Sequence, residues 1–195
     1  YSANKLTPPA LAALMETDGV KIDGFILPGH VSVITGTNAY RETFEKYNIP
    51  SVIAGFEPID ILHAVLLLIQ QNEKEKPDLE NAYPRAVSDA GNIKAKKIMN
   101  KVFKVCNASW RGIGEIPLSG MNLKKEYQKF DAAIKFGMDM PDAPEPKGCA
   151  CGKILLGLKT PYECALYKKK CTPMTPVGPC MVSSEGSCAA FYRYS

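Results

Sequence analysis

The chain has 195 residues, of which 46% are hydrophobic and 23% charged, a composition typical of a globular protein with its own core. Its net charge of +4 is too small, and too poor in interleaved aromatic residues, to indicate nucleic-acid binding. The longest apolar run, "IDILHAVLLLI" (59–69), is too short to span a bilayer, and no secretion signal is recognisable. We therefore expect a cytoplasmic protein that binds neither nucleic acid nor membrane.

The first part of the chain predicts alternating helices and strands. In chain order these are a helix over 7–17, a strand over 21–27, a helix over 31–47, a buried strand over 49–56 and a helix over 59–71. The last helix is apolar nearly all round, which predicts burial, with His63 as a hydrogen-bonded core histidine. Strands joined by crossover helices indicate parallel pairing.

The second part is less regular. The predicted segments are a charged connection over 72–80, an amphipathic helix over 87–106, an irregular Gly-rich stretch over 108–123, a helix over 124–136 and a Pro-rich linker over 137–148. The predicted fold class is α/β, with a Rossmann-like parallel sheet layer and helices followed by a small cysteine-rich module. The predicted domains are residues 1–140 and residues 141–195.

Two loops follow the predicted strands. "PGHVS" (28–32) contains His30, and "GFEP" (55–58) contains Glu57. Ligands of parallel sheets bind at the carboxyl ends of the strands, so both side chains are expected at one edge and in one cleft. The alternative is that these residues serve only as turn and helix-start chemistry, since a carboxylate at a helix N-terminus is favourable without any function.

Six of the seven cysteines fall between positions 149 and 188, and this segment raises the main chemical question. Three structural disulfides are disfavoured by the seventh cysteine, the missing secretion signal and the ordinary-sized core. Zinc sites use paired C-x2-4-C knuckles, which the spacing lacks, and they need four ligands. The spacing favours a metal site, with iron–sulfur preferred, so the cysteine-rich module is predicted to be an iron–sulfur module.

A [4Fe–4S] cluster takes four thiolates and leaves two thiols, which could form a reversible disulfide beside it. Residues 149–195 also carry six basic and two acidic residues, so the whole net charge resides there. The lysines at 168–170 could offset the negative charge of a cluster. Alternatively, they form a solvated surface or a docking patch.

These residues resemble a known family. "CACGKILLGLKTPYECALYKKKCTPMTPVGPCMVSSEGSCAAFY" resembles the C-terminal signature of HypD, the iron–sulfur maturation protein of [NiFe]-hydrogenases. Upstream motifs agree: "DGFILPGHVS" (23–32), "VIAGFEPIDIL" (52–62), "NAYPRAV" (81–87), "GNIKA" (91–95) and "WRGIGEIPLSG" (110–120). The resemblance covers nearly the whole chain.

The resemblance implies a scaffold that helps to assemble an Fe(CN)2CO unit with a HypC-type chaperone and a HypE-type cyanide donor. It implies a [4Fe–4S] cluster similar to that of ferredoxin:thioredoxin reductase, where a disulfide lies against the cluster. The implied ligands are Cys149, Cys164, Cys171 and Cys188. The implied redox pair is Cys151 and Cys180.

The family carries further cysteine motifs in its N-terminal half that this sequence lacks, so the sequence resembles the C-terminal half only. His30 and Glu57 would then line one wall of the assembly cleft. The alternatives are a self-contained iron–sulfur disulfide reductase and a zinc-stapled interaction module.

Five other residues give smaller predictions. Cys106 is expected to be a buried small hydrophobe. Trp110 and Arg111 could be a packing pair or a partner-contact point, and packing is favoured. Arg85 could hold a carboxylate such as Glu57 or cap nearby carbonyls. Glu185 could hydrogen-bond backbone amides near the cysteines or be exposed.

Overall fold

The computed structural model describes residues 3–110, 113–138 and 146–195. The strands are β1 (Asn4–Lys5), β2 (Phe25–Pro28), β3 (Ser51–Ala54), β4 (Leu79–Asn81), β5 (Phe103–Trp110) and β6 (Gly114–Leu123). The α-helices are α1 (Thr7–Met15), α2 (Gly29–Thr35), α3 (Asn38–Tyr47), α4 (Pro58–Glu73), α5 (Ile93–Val102), α6 (Ala132–Lys135), α7 (Cys151–Leu155), α8 (Pro179–Val182) and α9 (Ser187–Tyr194). Two 3₁₀ helices cover Lys125–Phe130 and Pro161–Glu163.

A parallel sheet of order β2-β3-β4 forms the centre of the first part. Its register pairs Pro28 with Ala54 and Ile53 with Asn81, so all three strands end at one edge. The prediction of an α/β chain with parallel pairing is confirmed. The prediction that 72–80 is only a solvated connection is wrong, because its end forms the start of β4.

Two helices replace the single helix predicted over 31–47. Gly36, with φ of 82°, lies between α2 and α3. A Cβ at Gly36 would approach the carbonyl oxygen of Asp89 to 2.2 Å, so the backbone crosses here too closely for any side chain.

A second, antiparallel sheet of order β1-β6-β5 lies where irregular structure was predicted. The helix predicted over 87–106 ends at Val102, and the chain continues as β5. Trp110 donates its indole N–H to Ser119 Oγ at 2.7 Å across the strand pair, which makes it the packing residue that was predicted. Arg111 lies outside the described residues.

Both faces of the parallel sheet are covered. Leu27, Ile53 and Val87 pack with Tyr40 on one side. On the other side, Val52 and Ala54 pack with Ala64 of α4. Burial on both faces is what allows short, almost wholly apolar strands such as β3.

The outer face of α4 is exposed, which corrects the prediction of a helix buried all round. Ile59, Leu62 and Leu66 each expose half or more of their surface. His63 is exposed as well and is not a core histidine. A helix that is apolar all round favours burial on every face. The outer face can be buried only if a second element packs against it.

The 124–136 segment was predicted as one helix and forms a 3₁₀ turn followed by the single turn of α6. The predicted boundary between residues 1–140 and 141–195 lies outside the described residues and stays a prediction. Nowhere in the described ranges is a helix both long and apolar enough to cross a bilayer.

Candidate functional site

Six cysteines gather into one compact core near the end of the chain, and we call them the cysteine cluster. Its members are Cys149, Cys151, Cys164, Cys171, Cys180 and Cys188. All six are thiols in this structure, five are buried, and Cys149 is half-buried. Among the described residues, Ile154, Tyr167, Met181 and Ala189 are the other buried members of this core. Thiols bury less apolar surface than aliphatic side chains, so a core made mostly of cysteines gains less stability from burial. Its composition therefore indicates a chemical role.

Short elements bring these cysteines together. Cys151 is the first residue of α7, Cys180 lies in α8 and Cys188 in α9. Cys164 follows a 3₁₀ turn whose capping box joins Thr160 to Glu163. Each helix is four to eight residues long, too short to be stable alone, so the cluster depends on tertiary contacts.

Gly178 defines the closest approach within the cluster. A Cβ at this position would lie 2.5 Å from both the Cys149 and the Cys151 sulfur, so any side chain here would force both sulfurs to move. Two sulfurs that are each 2.5 Å from one point lie no more than about 5 Å apart. The Gly178 backbone therefore serves as a cradle for the first two cysteines.

The thiols act on one another electrostatically. Burial raises the pKa of Cys149 to about 11 and that of Cys188 to about 12. Burial likewise raises the pKa values of Cys151 and Cys180, and these two thiols are close enough to alter each other's pKa. Charge on the neighbouring cysteines also raises the pKa of Cys188, after the larger effect of its burial. Four thiols of the cluster thus share a poorly solvated site that favours their protonated form, namely Cys149, Cys151, Cys180 and Cys188.

Two backbone contacts reach the sulfurs. The Val177 amide donates to Cys171 Sγ at 3.3 Å, and the Cys164 thiol donates to the Gly148 carbonyl at 3.9 Å. Amide donors to sulfur are a common feature around iron–sulfur clusters, where they tune the reduction potential. Within the described ranges, no three His, Cys, Asp or Glu side chains form a group arranged to hold a metal ion.

The donor set nevertheless fits a [4Fe–4S] cluster by its chemistry. It offers six thiols where four are needed, an amide directed at one sulfur, and a glycine cradle beside two others.

Cys106 is not part of this set. It is half-buried on β5, packed opposite Gly120, so its predicted burial holds only in part.

A cationic and aromatic surface borders the cluster. Lys168, which has φ of 57°, places its ammonium 5.3–5.7 Å from the ring centres of Tyr162, Tyr167 and Tyr192. Lys169 and Lys170 are exposed. Glu185 is exposed too, and its amide donates to Ser183 Oγ.

The carboxyl edge of the parallel sheet collects a second group of polar and aromatic side chains, and we call it the sheet edge. His30 follows β2, Glu57 follows β3, and Tyr83 follows β4. The His30 ring packs edge-on against Phe56 with 4.4 Å between centres, and lies 6.4 Å from the ring of Tyr83. The two predicted cleft residues thus follow neighbouring strands at the same edge.

Arg85 organises the charges of the sheet edge. It donates to both carboxylate oxygens of Asp60, at 2.9 and 2.7 Å, and more weakly to Glu57 at 3.3 Å. Its guanidinium also lies 4.4 Å from the Tyr83 ring centre. The predicted contact with Glu57 is confirmed, but the main partner is Asp60, which the sequence analysis missed.

Asp60 is 6% exposed, and its side chain fills the space beside Gly55, where a Cβ would lie 2.1 Å from Oδ2. The Arg85 hydrogen bonds hold the pKa of the Asp60 carboxyl below its ordinary value. The sequence did contain a signal for Asp60. It lies in the first turn of a helix that follows a buried strand, and such a position is near the same sheet edge as the preceding loop.

Comparison with known proteins places this geometry in a family. Residues 1–195 match the family model described as HypD, "Hydrogenase formation hypA family". Hydrogenase maturation factor HypD2 of Bradyrhizobium diazoefficiens is 44% identical over 97% of this chain and 52% of its own length. Hydrogenase maturation factor HypD of Escherichia coli (strain K12) is 42% identical over 95% of this chain and 50% of its own.

The chain spans about half the length of the curated relatives it matches. The family match itself extends over all 195 residues and so includes both the sheet edge and the cysteine cluster. The chain therefore belongs to the HypD family of hydrogenase formation proteins.

Proposed function

We propose that this chain is the part of a [NiFe]-hydrogenase maturation scaffold that holds a [4Fe–4S] cluster and one wall of an assembly cleft. The observation that carries the proposal is the gathering of six thiols in one buried core. The family match supports the maturation role, and the relatives bear the name hydrogenase maturation factor. The part is proposed to be the C-terminal half, because its motifs resemble that half.

The proposed cluster ligands are Cys149, Cys164, Cys171 and Cys188. When bound, a [4Fe–4S] cluster supplies single electrons. The chain's own residues release one proton for each thiolate they provide, since the neutral thiols must ionise to bind iron. The raised pKa values of Cys149 and Cys188 make this ionisation depend on the metal.

Cys151 and Cys180 are proposed to form a redox pair beside the ligands. Their mutual influence on pKa supports this assignment, since a disulfide requires the two sulfurs to meet. Reduction of their disulfide takes up two electrons and two protons and leaves two thiols. A one-electron donor protein would supply the electrons in two steps.

The sheet edge is proposed as the wall that receives the Fe(CN)2CO unit as cargo, with His30 and Glu57 facing it. The HypC-type chaperone and the HypE-type cyanide donor are the proposed partners, and the cytoplasm is the proposed location. Arg85 supports the assignment indirectly, because its ion pairs hold Glu57 at this edge. These activities belong to the longer family protein.

The first test is iron and acid-labile sulfide analysis of the chain after anaerobic purification and reconstitution. We expect about four iron and about four sulfide per chain, the composition of one [4Fe–4S] cluster. Zinc without iron would overturn the proposal in favour of a zinc-stapled module.

Variants separate the two roles within the cysteine cluster. Cys188→Ser should lose the iron, whereas Cys151→Ser and Cys180→Ser should retain it. Cys106→Ser is the matched control outside the cluster. Loss of iron in either redox-pair variant, with the control intact, would show that the ligand set is wrong.

A further inference from the structure

Helix α4 carries an apolar stripe that the described part of the chain leaves in water. Its members are Ile59, Leu62, Val65, Leu66 and Ile69, which expose 68, 66, 39, 50 and 49% of their surfaces. Phe56, just before the helix, is 63% exposed and extends the stripe. Scattered exposed aliphatic residues are ordinary, but six large apolar side chains on one face form a contiguous patch of the kind that marks an interaction site.

The rest of α4 shows that, among the described residues, the core is formed without the stripe. The opposite face buries Asp60, Ala64 and Gln71 against the parallel sheet. Ile61 and Leu68 flank that contact. Because the inner face is fully packed, the exposed stripe does not reflect a helix that is loosely docked on its sheet.

The spacing of the stripe indicates what kind of surface fits it. Ile59, Leu62, Leu66 and Ile69 are separated by three, four and three residues, the spacing of a helix seam that packs against another helix. The seam runs for about 15 Å, since each helical residue rises about 1.5 Å. No charged side chain interrupts it between Ile61 and Gln70. The matching partner is an amphipathic helix with aliphatic residues at the same spacing.

We propose that this stripe is the docking face for a helix from the remainder of the HypD polypeptide, the part of the relatives that this chain does not span. The relatives are about twice as long as the matched region, so roughly a domain's length of protein lies outside it. A second domain in the same polypeptide stays near the stripe at high effective concentration, which favours it over a separate protein.

The position of the stripe gives this docking a consequence for the sheet edge. Helix α4 begins at Pro58, directly after Glu57, and Phe56 of the stripe packs against His30. A helix docked along the stripe would therefore reach the rim of the sheet edge. The inference rests on the proposal that this chain is one part of a longer HypD protein, but it concerns packing alone, so iron binding by the cysteine cluster does not affect it.

Carbene footprinting tests the proposal on two intact proteins, this chain and full-length HypD of Escherichia coli. We expect strong labelling of residues 58–73 in this chain and protection of the aligned helix in the longer protein. Equal labelling of the two helices would overturn the proposal.

A pair of substitutions provides an independent measurement. Leu62→Glu with Leu66→Glu should leave the melting temperature of this chain unchanged, because both side chains are exposed here. The aligned substitutions in the E. coli protein should lower its melting temperature by about 2–4 °C or more. Ile98→Glu on α5, at a position 64% exposed, is the matched control and should change neither protein.

The oligomeric state of this chain decides between the proposed occupant and a second copy. Light scattering should give the mass of a monomer. A dimer that the Leu62→Glu and Leu66→Glu pair converts to a monomer would assign the stripe to self-association and overturn the proposal.

Discussion

The sheet edge and the cysteine cluster differ in the side chains that build them. At the sheet edge, Arg85 is shared between Asp60 and Glu57, and the strands beneath it are packed by aliphatic side chains on both faces. In the cysteine cluster, most buried side chains are thiols, held by helices of a few residues. One region is built from ion pairs and aliphatic packing, while the other is built from the thiols that we propose bind a metal cluster.

The difference shows where stability resides. The sheet gains most from burial of aliphatic surface, at roughly 25 cal/mol per Å2. The cluster has few large apolar side chains and so gains less, and a bound metal would add the binding free energy to its folding. The experiments below test this contrast, from the largest expected effect to the smallest.

Iron removal should have the largest effect. We expect a chelator, applied anaerobically to the iron-loaded chain, to abolish amide-exchange protection in residues 149–195 while β2 and β3 keep theirs. The reason is that α7, α8 and α9 are too short to persist without the tertiary contacts of the cluster. Hydrogen exchange with mass spectrometry measures both regions at once. Unchanged protection at 149–195 would mean that the thiol core is self-sufficient.

Leu27→Ala should have the next largest effect, confined to the sheet. Leu27 is 2% exposed, and truncation of a buried leucine lowers the free energy of unfolding by about 2–5 kcal/mol. Urea denaturation followed by circular dichroism measures the change. Leu62→Ala, at an exposed position, is the control and should change it by less than about 0.5 kcal/mol. Equal losses would contradict the assignment of the core.

Gly178→Ala should act on the cluster and spare the sheet. The added methyl group would lie 2.5 Å from two sulfurs, and overpacking of this kind costs about 1–3 kcal/mol. We expect a lower iron content after reconstitution and a normal exchange pattern in β2 and β3. Gly29→Ala, whose Cβ would lie 2.2 Å from the Ala54 carbonyl oxygen, is the matched variant in the sheet. It should reduce the exchange protection of β2 and β3 and leave the iron content normal.

Acid should weaken the sheet edge through Asp60. The Arg85 hydrogen bonds lower the pKa of Asp60, so its stabilising effect is present above the unfolded value of about 3.9 and is lost as pH falls through the lower, folded value. Thermal melts between pH 6 and pH 2 should show wild type more stable than Asp60→Asn at pH 6, with the difference vanishing in acid. Asp18→Asn, at an exposed position, is the control. A difference independent of pH would rule out the carboxylate as its cause.

Local sequence signals predicted the parallel part of the fold well. Short apolar runs ending in Pro28-Gly29 and Gly55 marked β2 and β3, and Pro58 marked the start of α4. Strand β4 was missed because it has only three residues beside a charged stretch, and its pairing with β3 is what makes it a strand. The β5–β6 pair was missed for a similar reason, since Pro117 and several glycines obscure the alternation in β6.

The sites were predictable to different degrees. The sequence placed His30 and Glu57 at one edge because strand direction alone decides that position. It missed the bidentate Arg85–Asp60 pair, because Asp60 lies within an apparently apolar helix and meets Arg85 only through the third strand. The approach of Gly178 to two sulfurs depends on how distant loops fold together, which no local pattern encodes.

The junction between β2 and α2 has a lasting consequence for how this protein could evolve. Pro28 and Ala54 are register partners, and Gly29 is pressed against the Ala54 carbonyl, so the backbone beneath His30 and Glu57 is fixed by main-chain hydrogen bonds and by the absence of a methyl group. Inserting or deleting one residue in either strand would shift His30 relative to Glu57 and destroy their alignment at the edge. Exchanging the side chains would change the chemistry and leave the spacing intact. Natural variation at this edge should therefore consist of substitutions and not of changes in length.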